Sequence, residues 1–291
     1  MISIIIPIGR EGADLYERIR SFVGTVKALA MQYGLSFEVF LVTDVFHVPT
    51  LKAMIRLAKE GVAQCLFLTK RIGKGGSIKN AVRYAKSDYV IILDADIPIS
   101  PETVVRALLL TSKLKLDLLI ANRVYREHNV LRRGLSIGYN TLVNILFNTK
   151  LKDHQAGFKI LSKKATKIVL AEKTRTDGLA YDTEVIIWAK RFGLRYKTVN
   201  VAWKEKRQGS TIPPLRALLT MLADLIMLRL ITIAEKHTAL QKVPVGRVID
   251  LKNLNILGQV YMTTIKASGP KRYLLNMLRK LYMAVAFKAR T

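Results

Sequence analysis

Residues 90–98 read VIILDADIP. The run from Val90 to Leu93 is apolar, β-rich and far shorter than a helix, which marks a strand covered on both faces. It delivers Asp94 and Asp96 at its carboxyl end, where ligands of open parallel sheets bind. Two carboxylates with one residue between them can point into the same cleft there, one directly on a divalent cation, the other through a second oxygen or a water. Hard cations such as Mg²⁺ take few carboxylates and complete their shell with substrate phosphates. A bare Asp-x-Asp is common by chance, so these nine residues predict a buried strand, and a metal–phosphate site only together with the βα units and the basic glycine-rich turn that precede them.

The chain before this strand repeats its logic. Short β-rich runs at 2–8, 37–43 and 64–70 alternate with amphipathic stretches at 14–33, 50–59 and 77–86; a helix at 101–113 then leads to a strand at 118–123. This alternation predicts an α/β fold with a mostly parallel central sheet flanked by helices. Ser100, Pro101 and Glu102 read as N-cap, first helical position and first-turn acid, while Gly34 and Gly61 sit where helices end. Just before the aspartate strand lies RIGKGGSIKNAV, residues 71–82. Gly73, Gly75 and Gly76 let backbone amides approach a ligand, a helix starting near Ser77 offers its positive end to a phosphate, and Lys74 supplies a point charge. Neither GxxxxGK[ST] nor a GxGxxG after the first strand is present. Beyond Arg123 come a basic loop, a helix over 133–147, the segment DHQAGFK, a helix over 181–192 and a strand-like stretch at 197–203.

Composition narrows the partners. With 291 residues and 50% apolar content the chain can build a full core, which excludes a disordered protein. Against 21 Asp and Glu stand 48 Lys and Arg, a formal charge of +27 that attracts nucleic acid, an acidic lipid surface or a phosphorylated substrate. Cys65 is the single cysteine and can close no intramolecular disulfide; His47, His128, His154 and His237 show no ligand-like spacing. Met1 leads straight into a strand, so no signal peptide is expected. Residues 213–234 are apolar but broken by Arg216, Asp224 and Arg229, too many charges for a span. On a helix, Leu215, Leu219, Leu222, Ile226, Leu230 and Ile233 form one stripe, predicting a helix that lies on a surface. From 235 to 291 eleven Lys and Arg face two acids, and Leu274, Leu278, Leu281 and Val285 share an apolar face. That is the pattern of an interfacial helix on an anionic bilayer; packing on the catalytic domain or on a second subunit is the alternative. The expected division is a catalytic domain over 1–211 and a basic, amphipathic helical region over 212–291.

Ordered motifs give the chain a family resemblance. It resembles the family 2 inverting glycosyltransferases of the GT-A fold, and among them the polyprenyl-phosphate sugar synthases that make dolichyl-phosphate glucose or mannose. PIGRE, residues 7–11, stands where the family has PxxNE. VTD, residues 42–44, stands where it carries an Asp pair. The glycine turn and LDAD follow in order. RRGLSIGYNTLVNILFNTKLKDHQAGFK, residues 132–159, resembles RxxSxxxNxLVxxLF followed by DxQxGFK, and GLAYDTEVIIWAKRFGLRYKTVNVAW, residues 178–203, resembles GWxFDxExLxxAxxxGxxxxEVPVxW. The chain departs from the pattern at Arg10 for Asn, Thr43 for the first Asp, Val45–Phe46 for Gly-Ser, and Ile97–Pro98 where a Gln often follows.

The resemblance implies roles. Asp94 and Asp96 would hold Mg²⁺ or Mn²⁺ against the diphosphate of a nucleotide sugar, with Pro7, Glu11, Asp44, Lys74, Gly75 and Ala95 completing the donor site. Asp153 would be a third catalytic residue lining the sugar or acceptor pocket. Arg123, Arg132, Arg133 and Gln155 would seat the phosphate of a polyprenyl (dolichyl) acceptor, whose oxygen inverts the anomeric carbon. That phosphate is substantially ionised at neutral pH, so no general base is required. UDP-glucose is the favoured donor and GDP-mannose the alternative. The enzyme would work as a peripheral protein on the cytoplasmic face of a membrane. A nucleic-acid binder suits the net charge alone, but no RNA- or DNA-binding module is present.

Overall fold

The structure is a computed structural model that describes residues 1–12, 14–124, 130–203 and 214–237. The chain divides into two compact units, Met1–Pro214 and Leu215–Thr291. In the first, seven strands form one sheet: β1 (Ile2–Ile8), β2 (Phe37–Thr43), β3 (Gln64–Phe67), β4 (Tyr89–Ile92), β5 (Leu118–Arg123), β6 (Lys159–Ser162) and β7 (Tyr196–Val201). Their order is β3-β2-β1-β4-β6-β5-β7. Neighbours run parallel except at β6, which is antiparallel to both β4 and β5. The helices are α1 (Leu15–Met31), α2 (Val48–Lys59), α3 (Gly73–Val82), α4 (Pro101–Lys113), α5 (Val130–Phe147), α6 (Lys163–Ala165), which runs on into a π-helix over Thr166–Lys173, and α7 (Tyr181–Arg191).

Strand periodicity builds the layers. Ile2, Ile4, Ile6 and Ile8 of β1 share one hydrophobic cluster with Leu15, Ile19 and Phe22 of α1 and Val104 and Leu108 of α4. Ile5 is equally buried yet outside that cluster, as the alternation of a strand requires. Pro7 is tolerated in this central strand for a register reason. Ile5 O accepts from Leu93 N on the β4 side, and the β1–β4 pairing ends at Ile5 opposite Ile92. Pro7, two residues on, faces the same side past the end of that ladder, where no N–H is needed.

Several local expectations hold. Ser100 Oγ accepts from Thr103 N and caps α4, and Gly34 and Gly61 take φ of 65° and 66° past α1 and α2. Others are corrected. The glycine turn is not a loop before a helix at Ser77: α3 starts at Gly73, because the Asp44 carboxylate on β2's end accepts from Ile72 N at 2.8 Å and Gly73 N at 2.6 Å and caps the helix a turn earlier. β3 stops at Phe67, not at 70.

The second unit contributes α8 (Pro214–His237). Its buried side is Met221, Leu225, Leu228 and Thr232, whereas Leu219 and Ile233, assigned to the buried stripe from sequence, are 45% and 41% exposed. The helix is apolar on most of its circumference, so periodicity alone did not choose a face. Among the described residues no helix is long and apolar enough to cross a membrane. The basic stretch from 238 to 291 lies outside the described residues.

Candidate active site

The sheet changes direction between β1 and β4, the place where an open α/β sheet forms a ligand crevice. Pro7 and Glu11 lie at and beyond the end of β1, Asp44 just beyond β2, and Asp94, Ala95 and Asp96 just beyond β4. The last three form a tight turn in which Ile97 N donates to Asp94 O at 3.1 Å. Ile97 adopts φ 48°, a conformation that costs a β-branched residue on the order of 1–3 kcal/mol. Its side chain is buried in the main cluster, which offsets that cost. Arg18 of α1 ties two of these loops together. Its Nη2 lies 2.7 Å from Glu11 Oε2, its Nε donates to Ala95 O at 3.1 Å, and it also pairs with Asp14. The Glu11 backbone is fixed in turn by Thr50, whose hydroxyl accepts from Glu11 N at 2.9 Å and donates to Glu11 O at 3.1 Å.

Opposite Asp94 is a chain of four charges. Lys74 Nζ lies 2.7 Å from Asp94 Oδ1 and 2.7 Å from Asp182 Oδ2. Asp182 Oδ1 accepts from Lys159 Nζ at 2.6 Å, and Lys159, wholly buried, also donates to Ala156 O at 2.6 Å. Burial works against the Lys74 ammonium, yet the charges of Asp182 and Asp94 outweigh it and hold the group above the ordinary lysine value. Burial also works against the Asp182 carboxylate, but Lys159 and Lys74 hold it ionised below its usual range. Gly157 makes room for this arrangement: a Cβ there would lie 1.7 Å from Asp94 Oδ2. Gly75 packs against α7, where a Cβ would lie 2.7 Å from Tyr181 Cβ, and its N–H goes to Asp177 O at 2.8 Å.

The residues expected around the acceptor meet in part. Arg123 at the end of β5 holds Asp153 in a bidentate pair, Nε to Oδ2 at 2.6 Å and Nη2 to Oδ1 at 2.8 Å, and its guanidinium sits 5.3 Å from the Trp203 ring centre. Gln155 N donates to Asp153 Oδ1 at 3.1 Å. Arg123 and Asp153 are thus partners of one another, two of the guanidinium's donors being engaged by the carboxylate. Arg132 and Arg133 stand in the first turn of α5, and their side chains lie outside the described residues. His154 is a structural group: buried, with Nδ1 2.7 Å from Asn140 Oδ1 and Nε2 2.7 Å from Thr149 Oγ1.

The two aspartates fit a hard divalent cation. Asp96 Oδ1 is one of three buried side-chain polar atoms that have no hydrogen-bond partner among the described residues. Burial, then the neighbouring charge of Asp94, pushes the Asp96 carboxyl up to about 6. A buried orphan oxygen beside a second carboxylate is stabilised by a cation. Among the described residues no group of three or more acidic, histidine or cysteine side chains converges, so the remaining ligands would come from phosphate and water, as suits Mg²⁺ or Mn²⁺.

The sheet order with its crevice and aspartate turn is that of a GT-A glycosyltransferase fold, and comparison agrees. The family model for glycosyl transferase family 2 matches residues 3–169, and the chain belongs to that family. Glycosyltransferase AglD of Haloferax volcanii is 26% identical over 210 residues, 70% of this chain but only 33% of its own length. The dolichyl-phosphate β-glucosyltransferase of Saccharomyces cerevisiae is 22% identical, covering 79% of this chain and 74% of its own. The undecaprenyl-phosphate 4-deoxy-4-formamido-L-arabinose transferase of Pseudomonas aeruginosa is 25% identical, covering 78% and 64%. Glucosyl-3-phosphoglycerate synthase of Mycobacterium tuberculosis, solved with Mn²⁺ and UDP-glucose, shares the fold with a TM-score of 0.61 at 17% identity, covering 78% and 79%.

Sequence reasoning assigned no role to Arg18, Gly157, Lys159, Asp182 or Glu184. Gly157 and Lys159 stand in DHQAGFK and Asp182 and Glu184 in the block 178–203, so the motifs contained them. Apart from the i,i+4 contacts of Arg18 with Asp14 and of Glu184 with Trp188, their partners are distant in sequence or in loops, which spacing along the chain does not reveal.

Proposed function

We propose that this protein transfers a single hexose from a nucleotide sugar, UDP-glucose by preference, to a polyprenyl (dolichyl) phosphate, with inversion. The observation that carries the reading is the crevice at the end of β1 and β4, where Asp94 and Asp96 face Lys74 on the start of α3. In this reading Asp94 and Asp96 hold Mg²⁺ or Mn²⁺; when bound, the ion supplies Lewis acidity that neutralises charge on the departing nucleoside diphosphate. Lys74 supplies a further positive charge to that diphosphate. Glu11, braced by Arg18 and Thr50, and Asp44, which fixes the start of α3, hold the nucleotide end. Arg123 with Asp153 orients the acceptor, Arg132, Arg133 and Gln155 adding charge and hydrogen bonds around its phosphate. The acceptor phosphate is its own nucleophile, so the protein's work is positioning and electrostatic stabilisation.

The yeast relative's name as a dolichyl-phosphate β-glucosyltransferase and the Pseudomonas relative's as an undecaprenyl-phosphate sugar transferase support a polyprenyl-phosphate acceptor. Such a lipid resides in a membrane, so the enzyme would act as a peripheral protein on the cytoplasmic face, with residues 1–211 catalytic and 212–291 on the acidic surface. The test is incubation with radiolabelled UDP-glucose or GDP-mannose, dolichyl phosphate and Mg²⁺, followed by lipid extraction. Labelled glycolipid from UDP-glucose is expected; labelling from GDP-mannose instead reassigns the donor, and none from either overturns the reading. Asp96→Ala is expected to lower transfer by at least about 100-fold with the fold intact by circular dichroism.

A further inference from the structure

The four-membered chain that ends at Asp94 carries two charges of each sign before any cation or donor arrives. Lys74 and Lys159 are the positive members, Asp94 and Asp182 the negative ones, alternating at 2.6 to 2.7 Å. Asp182 is anchored: it sits on α7, is 4% exposed, and its second oxygen is occupied by Lys159. Lys74 is the adjustable member. It stands in the first turn of α3, is 19% exposed, and reaches Asp94 through a four-carbon stem that can swing about its contact to Asp182. A divalent cation approaching Asp94 alone therefore meets an ammonium that already holds the carboxylate. Like charges so close in a partly buried site oppose one another strongly. A diphosphate changes the balance, because its oxygens offer the ammonium a new partner while they also ligate the cation.

Resting on the metal-dependent reading above, we propose that Lys74 is a resident counter-ion that makes cation binding at Asp94 and Asp96 conditional on the diphosphate. Asp182 and Lys159 are its positioning residues: they hold the ammonium between its two partners, so that it leaves Asp94 only for a competing anion. The two ligands are then coupled, and by linkage each raises the affinity of the other by the same factor. The site holds free metal weakly and assembles fully only with a donor in place.

The test is Mn²⁺ binding to the full chain, read by electron paramagnetic resonance, alone and with saturating UDP or GDP. Wild type is expected to bind Mn²⁺ weakly alone and about 10- to 100-fold more tightly with a nucleotide. Lys74→Met is expected to bind Mn²⁺ alone about tenfold more tightly than wild type, with a nucleotide effect smaller than in wild type by about the same factor, the remainder coming from direct ligation of the cation by the diphosphate. Lys74→Arg keeps the charge and is expected to retain the coupling. If Lys74→Met does not fold, Lys74→Gln serves, and calorimetry of UDP binding to wild type with and without Mn²⁺ must return the same coupling factor. Mn²⁺ affinity that is unchanged or weaker in the uncharged variants, or no coupling in wild type, overturns this proposal alone. No Mn²⁺ binding to wild type under any condition overturns the metal dependence of the proposed function as well. Because binding is read directly, neither result depends on which acceptor the enzyme uses.

Discussion

Single residues hold the site at distances that admit little change. Gly157 is required because Asp94 occupies the space a side chain would take, a Cβ there lying 1.7 Å from Asp94 Oδ2. Gly157→Ala must displace that carboxylate, and it is expected to lower transfer by at least about 100-fold while the melting temperature falls by only a few degrees. Activity near wild type in purified Gly157→Ala would show that Asp94 can move without loss. His154 sets a pH dependence of a different kind. Burial holds its imidazole down at about 4, against about 6.5 in an unfolded chain. Between those values the unfolded state takes up a proton that the folded state refuses. Stability is therefore complete above about pH 6.5 and is lost as pH falls towards 4, by up to about 3 kcal/mol. Denaturant melts at pH 7.5 and 4.5 should show that loss in wild type and a smaller one in His154→Gln.

Between elements, α7 positions the start of α3 through a loop. Glu184 is fully buried and accepts from Arg175 N at 2.8 Å, Thr176 N at 2.7 Å, Thr176 Oγ1 at 2.5 Å and Trp188 Nε1 at 3.0 Å. The loop so fixed lays Asp177 O on Gly75 N and Gly76 N. Glu184→Ala leaves several buried donors unpaired and is expected to cost about 3 kcal/mol or more, a fall of roughly 6–12 °C in melting temperature. Donor KM should rise with it, since Lys74 loses its support; an unchanged KM would separate the loop from the site. At this scale the sequence was legible where a pattern is local. β1, β2, β5 and α4 have the bounds read from their apolar runs and caps. β6 escaped because it is four residues long and carries a buried lysine whose partner is on α7. The Lys74–Asp182 contact escaped for a like reason, joining residues 108 apart. DHQAGFK was recognised as a motif, but that its glycine touches Asp94 is a fact of three dimensions.

For the molecule as a whole the charge of +27 is unevenly placed, and residues 235–291 carry eleven basic residues against two acids. The membrane reading of this stretch predicts that a chain ending at Ala234 sediments less with anionic vesicles than the full chain. Raising salt from about 0.05 to 0.5 M should release the full chain to the same extent, since surface attraction is screened within about a Debye length. Sedimentation that ignores both changes would assign the stretch to protein contacts. α8 shows the limit of pattern reading at this scale: where most of a helix is apolar, its environment and not its period decides which side is buried.

The place of β6 in the sheet also sets the order in which the chain can be completed. β4 and β5 follow each other in sequence but are not paired; β6 lies between them, pairing Ser162 with Tyr89 and Leu161 with Leu118. While the chain emerges from a ribosome, the half-sheet β3-β2-β1-β4 keeps a raw edge until residues 159–162 arrive. Such an edge templates pairing with other chains. The strand that closes it carries Lys159 and lies just after Gly157, whereas Asp182 on α7 and the outer strand β7 come later in the chain. A growing polypeptide thus covers the β4 edge before the residues that finish its binding crevice have been made.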